Sequence, residues 1–95
     1  MRADLERRWM TLTREDLPRV ARDRDWPIHL DHCFQRVLLD QACRGCWYDR
    51  IEGRPAYRAA PEPILRRAVE LGEAVLAGLV DLDALNAQSL RWRRQ

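Results

Sequence analysis

A chain of 95 residues, 46% hydrophobic and 34% charged, has room for one domain with a modest core and is too apolar to be a disordered chain. Its 17 basic and 15 acidic residues leave a net charge of +2, which excludes a global field that would draw the whole protein onto nucleic acid or a membrane. Every basic residue is arginine, which either a GC-rich genome or selection for bidentate contacts to phosphate and carboxylate would produce. We expect a single helical domain over residues 1–95.

The sequence carries no pattern typical of secretion or of a membrane span. Its start, MRADLERRWMTL, contains no uninterrupted apolar stretch, and no run approaches the roughly 20 apolar residues that cross a bilayer. Three cysteines without a secretion signal argue against a disulfide framework and favour reduced thiols. We therefore expect a cytoplasmic protein with no membrane partner.

Two short helices are predicted at the N-terminal end of the chain. The first covers about residues 3–10, and Thr11 and Thr13 interrupt it. Thr13 followed by two acidic residues is typical of a helix start, and Pro18 fits only a first turn. The second helix is therefore expected over about 16–24.

The next predicted helix covers about residues 29–44. Arg36 and Asp40 are four residues apart, a spacing that predicts an ion pair on the polar face. Gly45 follows Arg44 and is free to take the left-handed turn that often ends a helix. The apolar face follows helical spacing and consists of Leu30, Phe34, Val37, Leu38 and Ala42, with Cys33 beside them.

The helix that follows, about 62–78, has the most continuous apolar stripe. Gly72 lies within that stripe and costs about 1 kcal/mol relative to alanine, so we expect another helix to cross closely there. The last predicted helix, capped by Asp81 or Asp83, carries Leu82, Leu85 and Leu90 and ends in arginines. The stripe of helix 62–78 consists of Ile64, Leu65, Ala68, Leu71, Gly72, Val75, Leu76 and Leu79.

These patterns predict an all-α fold, a compact array of four or five short helices. Residues 45–60 are the least regular part of the chain. The turn signal Glu52-Gly53-Arg54-Pro55 leaves room for one short hairpin near 46–57, but not for a sheet.

The cysteines and histidines do not predict a metal or catalytic site. Cys43 and Cys46 form a C-x-x-C, and His29, His32 and Cys33 could supply further ligands. In one continuous helix, however, Cys33 and Cys43 lie about 15 Å apart, at 1.5 Å per residue, which is too far for one zinc ion. Asp31, His32 and Cys33 are sequence neighbours, which point about 100° apart on a helix and so form no relay. We expect no metal, no cofactor and no catalytic residue.

Segment 44–58 mixes arginine with aromatic residues, a composition typical of contact sites. It contains two acidic residues, Asp49 and Glu52, that dilute its positive charge. Two interpretations are open: the aromatics belong to a binding surface, or they close one end of the core. The expected partner-binding residues are Trp47, Tyr48, Arg50, Arg54 and Tyr57.

The arginines also leave a nucleic-acid hypothesis open. Arginine interleaved with aromatic rings occurs on surfaces that bind single strands or phosphate. The C-terminal arginines could add to such a surface, or they could simply complement the helix dipole. The residues that would carry this function, beside those already named, are Arg44, Arg58, Arg91, Arg93 and Arg94.

Several stretches resemble a known group of proteins. They are Trp26-Pro27, DHCFQRVLLD at 31–40, WYD at 47–49, GRPAY at 53–57 and LNAQSLRWR at 85–93. The chain is similar over residues 13–93 to short proteins that often carry the label GCN5-related N-acetyltransferase. The resemblance implies an enzyme of that kind but assigns no catalytic residue. Our first hypothesis is a small non-catalytic interaction or regulatory module that binds a protein partner through segment 44–58, followed by the nucleic-acid-binding protein and then the enzyme.

Overall fold

The computed structural model describes residues 1–94, which are helical or irregular and contain no strand. The all-α prediction is confirmed. None of the helices in that range is both long and apolar enough to cross a membrane. The α-helices, in chain order, are α1 (Arg2–Thr11), α2 (Leu17–Ala21), α3 (Asp31–Cys43), α4 (Ala56–Ala59), α5 (Glu62–Leu76) and α6 (Leu82–Arg93).

Helices α1 and α2 are joined without a break, so the predicted interruption at the threonines is wrong. The connecting turn, Leu12–Asp16, is a π-helix whose flanking residues keep right-handed helical angles. Thr13 does not cap a new helix, because its hydroxyl donates to the Trp9 carbonyl at 2.8 Å. Pro18 lies in the first turn of α2, as expected, and has no N–H to donate. The wider π turn before it keeps the chain helical past that point.

Gly72 is the point where α5 meets two other helical segments. A Cβ atom built at this glycine would overlap the side chain of Leu12 and lie 3.1 Å from Cδ1 of Leu38. The prediction of a close crossing at Gly72 is therefore confirmed. The absence of a side chain lets the π turn and α3 pack directly onto the α5 backbone.

The buried apolar side chains form one cluster, and helices at both ends of the chain contribute residues to it. Phe34 and Leu65 are fully buried in it, as their stripes predict. Leu30 and Leu79, however, are 50% and 80% exposed. Both lie beyond the end of their helix, where helical spacing no longer fixes the direction of a side chain. Leu90 of α6 is 38% exposed, so it is not part of the buried core.

Segment 44–58 contains no hairpin. Its first turn is left-handed at Arg44 (φ 57°) rather than at Gly45, and the Arg44 and Gly45 N–H groups donate to the last carbonyls of α3. A 3-10 turn, Trp47–Asp49, follows. Gly53 at φ 110° and a cis peptide bond before Pro55 then lead into α4. Because several of its backbone N–H groups close local turns, the segment offers no extended strand to pair.

Candidate binding surface

A buried carboxylate holds the start of segment 44–58. Asp40 has no exposed surface, and its Oδ1 accepts a hydrogen bond from the backbone N–H of Trp47 at 2.9 Å. Arg93 of α6 donates to both carboxylate oxygens, from Nε to Oδ2 at 2.9 Å and from Nη2 to Oδ1 at 3.1 Å. Ser89 donates its hydroxyl proton to Oδ2 at 2.6 Å. The carboxylate therefore ties α3, α6 and the 3-10 turn together.

The predicted surface ion pair between Arg36 and Asp40 is wrong. Both oxygens of the Asp40 carboxylate accept the hydrogen bonds described above, because the side chain faces α6 rather than solvent. Arg36 instead donates to the Ser89 hydroxyl at 2.8 Å and to the Asn86 side-chain oxygen at 2.7 Å. A chain of polar contacts thus runs from Arg36 through Ser89 to Asp40, and it satisfies groups that would be costly to bury alone.

Trp47 and Tyr48 form an aromatic pair at the surface. Their ring centroids lie 5.8 Å apart in an edge-to-face arrangement. Trp47 is half-buried against the core, and the Arg54 guanidinium lies 5.3 Å from its ring centroid. Tyr48 is 51% exposed, with the Arg93 guanidinium 5.2 Å from its ring centroid. The structure therefore brings three of the expected partner-binding residues together.

Trp47 and Arg54 also line a groove of about 410 Å³ against α3. We call it the Trp47 groove. Its lining combines apolar side chains with polar and cationic ones, a mixture typical of protein contact sites. The residues that line it are His32, Gln35, Arg36 and Leu39 of α3 with Trp47, Arg54, Pro55 and Ala56.

Arg50 points to a second cleft of about 540 Å³, where the end of α3 meets α5. We call it the arginine cleft, since Arg44, Arg50 and Arg67 line it together with Ala42, Cys43 and Ile64. All three arginines are exposed. Within residues 1–94, none of the three makes an ion pair or a side-chain hydrogen bond.

The cysteines are free thiols in different settings. Cys43 and Cys46 are buried, while Cys33 is half-buried at the edge of the core. Burial raises the pKa of the Cys43 thiol, Asp40 raises it further, and Arg50 and Arg67 oppose the shift. Across the described part of the chain, no group of three or more His, Cys, Asp or Glu side chains is placed to hold a metal ion.

The remaining predicted residues lie apart from the two clefts. Tyr57 packs against the core, and its ring centroid lies 5.7 Å from the Arg58 guanidinium. Arg2 donates to the carbonyls of Tyr57 and Arg58, which fixes the backbone of α4. Arg91 is exposed and donates to Gln88 on its own helix at 2.6 Å. Arg94 follows α6 and is exposed. Arg93 forms an ion pair with Asp40.

Sequence reasoning missed Asp40 and Arg67. Asp40 lies three residues from both Val37 and Cys43, which are buried, so its position on the apolar face was a usable signal. Arg67 had no such signal, because only the packing of α5 against α3 brings it beside Arg44. No protein-family model matches the sequence, and no curated protein or solved structure is significantly similar to it. Function is therefore inferred from the surface itself.

Proposed function

We propose that the protein is a small non-catalytic interaction module that binds a protein partner through segment 44–58. The observation that carries the proposal is that this one segment lines two clefts, the Trp47 groove and the arginine cleft. It supplies a half-exposed aromatic pair, Trp47 and Tyr48, and arginines without intramolecular ion pairs among residues 1–94, Arg50 and Arg54. Tryptophan, tyrosine and arginine are the residues that most often dominate protein–protein binding energy.

The polar side chains support a scaffold role rather than a catalytic one. The Asp40 carboxylate accepts four hydrogen bonds that hold structural elements, which leaves it no role as a free base. A raised pKa keeps the Cys43 thiol protonated near neutral pH, whereas a nucleophilic cysteine needs a lowered pKa. The surface is therefore better suited to contact than to bond-breaking.

A protein partner is preferred over nucleic acid because of the charges within segment 44–58. Asp49 and Glu52 are exposed in the segment but do not line the arginine cleft, so they would repel a phosphate backbone that runs along the segment. Arg93, one of the arginines that a nucleic-acid surface would use, is neutralised by Asp40. The arginine cleft is the feature that keeps nucleic acid as the second candidate. The acetyltransferase alternative stays a prediction, since it gives no residue of this chain a role that the geometry could support.

The proposal is tested by comparing how much partner protein is captured by the wild type, by surface variants and by a control variant. Tagged protein is mixed with nuclease-treated lysate from its own cells, at several salt concentrations. Tyr48→Ala and Arg50→Ala/Arg54→Ala should each weaken capture of a specific protein, by about 2 kcal/mol if they are binding hot spots. Arg19→Ala/Arg22→Ala, which removes two exposed arginines of the α2 region, is the control.

The same experiment separates the candidates. Capture that survives nuclease and depends on Tyr48 supports the protein partner. Recovery of nucleic acid without nuclease, with affinity that falls steeply as salt rises, would support the second candidate instead. Equal capture by all variants would contradict the assignment of segment 44–58 as the contact surface.

A further inference from the structure

We infer that the arginine cleft is a binding site for a phosphate monoester, which the protein partner presents as a phosphorylated side chain. The identity of the anion follows from the cleft alone. Its attachment to a protein rests on the proposed function above.

The arginine cleft is built from three separate elements. Arg44 is the left-handed residue that ends α3, Arg50 ends the 3-10 turn, and Arg67 lies on α5. They converge on one cleft of about 540 Å³ although they are distant in sequence. Arg66, the neighbour of Arg67, shows the contrast, because it pairs with Glu62 at 3.0 Å on the outer face of the same helix.

Within residues 1–94, no ion pair neutralises the arginines of the cleft. No acidic residue lines it. Asp40, a buried carboxylate three residues before Cys43, is paired with Arg93. Glu70 lines the neighbouring cleft together with Arg44 and Arg67 and so offsets part of their charge, yet no ion pair within residues 1–94 joins it to an arginine.

The end of α3 also contributes a partial negative charge, since Ala42 and Cys43 belong to its last turn. A helix C-terminus carries about half a negative charge, well below the three positive charges of the arginines. The turn bonds at Arg44 and Gly45 use two of the last four carbonyls of α3, those of Gln41 and Asp40. An anion that enters the cleft therefore meets a net positive site.

Three guanidinium groups fit a phosphate monoester better than a carboxylate or a phosphodiester. One arginine suffices for a bidentate contact to a carboxylate, which would leave two guanidinium charges uncompensated. A phosphodiester carries one charge and two free oxygens. A phosphate monoester carries about −1.5 to −2 at neutral pH and three acceptor oxygens, so each arginine can contact its own oxygen. Ile64 and Ala42 offer apolar contact for the carbon atoms that bear the phosphate.

Titration of the intact protein with small probes, followed by NMR, tests the anion. Phenyl phosphate, benzoate and dimethyl phosphate are compared at constant ionic strength. We expect phenyl phosphate to bind most tightly and to shift the signals of residues 43–50 and 67. Arg67→Gln should weaken phenyl phosphate binding about tenfold or more, the effect of losing one charge-assisted hydrogen bond. Arg66→Gln is the matched control and should leave phenyl phosphate binding unchanged.

Three outcomes would overturn the anion site: no saturable binding of phenyl phosphate, equal binding of the three probes, or equal effects of Arg66→Gln and Arg67→Gln. Tighter binding of dimethyl phosphate would indicate a nucleic-acid backbone instead. Because Arg67 lies outside segment 44–58, its variant tests the cleft without altering the proposed contact segment.

Phosphatase treatment tests the source of the phosphate. Capture of the partner by wild-type protein should fall when the lysate is first treated with phosphatase. If phenyl phosphate binds but capture resists phosphatase, the protein-borne source is wrong and the cleft takes a free phosphorylated small molecule. If phenyl phosphate fails to bind while capture still depends on Tyr48, the proposed function stands and this inference falls.

Discussion

The Arg93 guanidinium donates to both oxygens of the buried Asp40 carboxylate, at 2.9 and 3.1 Å. The same guanidinium lies over Tyr48, and the same carboxylate accepts the N–H of Trp47. The aromatic pair of the candidate surface is thus held by a polar network inside the fold. Order at the surface should therefore depend on the pairing of two residues on α3 and α6.

Loss of Arg93 should destabilise the fold more than loss of its neighbour. Arg93→Ala leaves the fully buried Asp40 without its charge partner and should lower the free energy of unfolding by about 2–3 kcal/mol. This is below the range for a fully buried pair because the Arg93 side chain is 25% exposed. Arg91→Ala, on the exposed face of α6, should cost less than about 0.5 kcal/mol. Urea unfolding of both variants measures the difference, and equal costs would show that the network contributes little.

The Gly72 crossing predicts an unusual response to alanine. In an ordinary helix, Gly→Ala stabilises by up to about 1 kcal/mol. Here the new methyl group would overlap Leu12, so Gly72→Ala should destabilise by about 1–3 kcal/mol through overpacking. Gly45→Ala is the control, because nothing lies within 4 Å of a Cβ at that position. Thermal unfolding would contradict this packing if Gly72→Ala raised the melting temperature.

Phe34 and Leu79 lie on apolar stripes of the same kind but differ in burial. Phe34 is fully buried, and Phe34→Ala should cost about 3–5 kcal/mol. Leu79 is 80% exposed, and Leu79→Ala should be within about 0.5 kcal/mol of wild type. Denaturant titration distinguishes the two, and a large loss from Leu79→Ala would mean that the region after α5 packs differently.

The Cys43 thiol should make stability depend on alkaline pH. Burial raises its pKa above the ordinary value of 9.0, so the unfolded chain releases this proton at lower pH than the folded protein. Its contribution to stability is therefore complete below about pH 9 and is lost as the pH rises through the folded pKa. Cys43→Ala should show a smaller fall in the free energy of unfolding over that range than Cys33→Ala. Parallel curves for the two variants would rule the effect out.

The helices could be predicted because helical spacing is a local property of the sequence. The stripe from Leu65 to Val75 identifies the buried face of α5 without knowledge of its neighbours. Errors occur just outside a helix, before its start at Leu30 and after its end at Leu79, because helical spacing does not fix side-chain direction there.

The candidate site was predictable only in part. The mixture of arginine and aromatic residues singles out segment 44–58, and residues of this segment line two clefts. Its role as a binding surface stays a prediction. The hydrogen-bond partners of Asp40 could not be predicted, because Ser89 and Arg93 are 49 and 53 residues away in sequence. For the same reason, the sequence does not distinguish Arg67 from other surface arginines. Only the packing of α5 beside α3 places it in the arginine cleft.

The central claim is that segment 44–58 is the surface that contacts a protein partner. Its most direct test is photo-crosslinking in the native cells, with a photoreactive phenylalanine analogue placed either at Tyr48 or at Leu79. Both side chains are exposed, at 51% and 80%, but only Tyr48 lies in the proposed surface. We predict one discrete protein adduct from position 48 and none from position 79. The same adduct from both positions, or an adduct from position 79 alone, would contradict the claim.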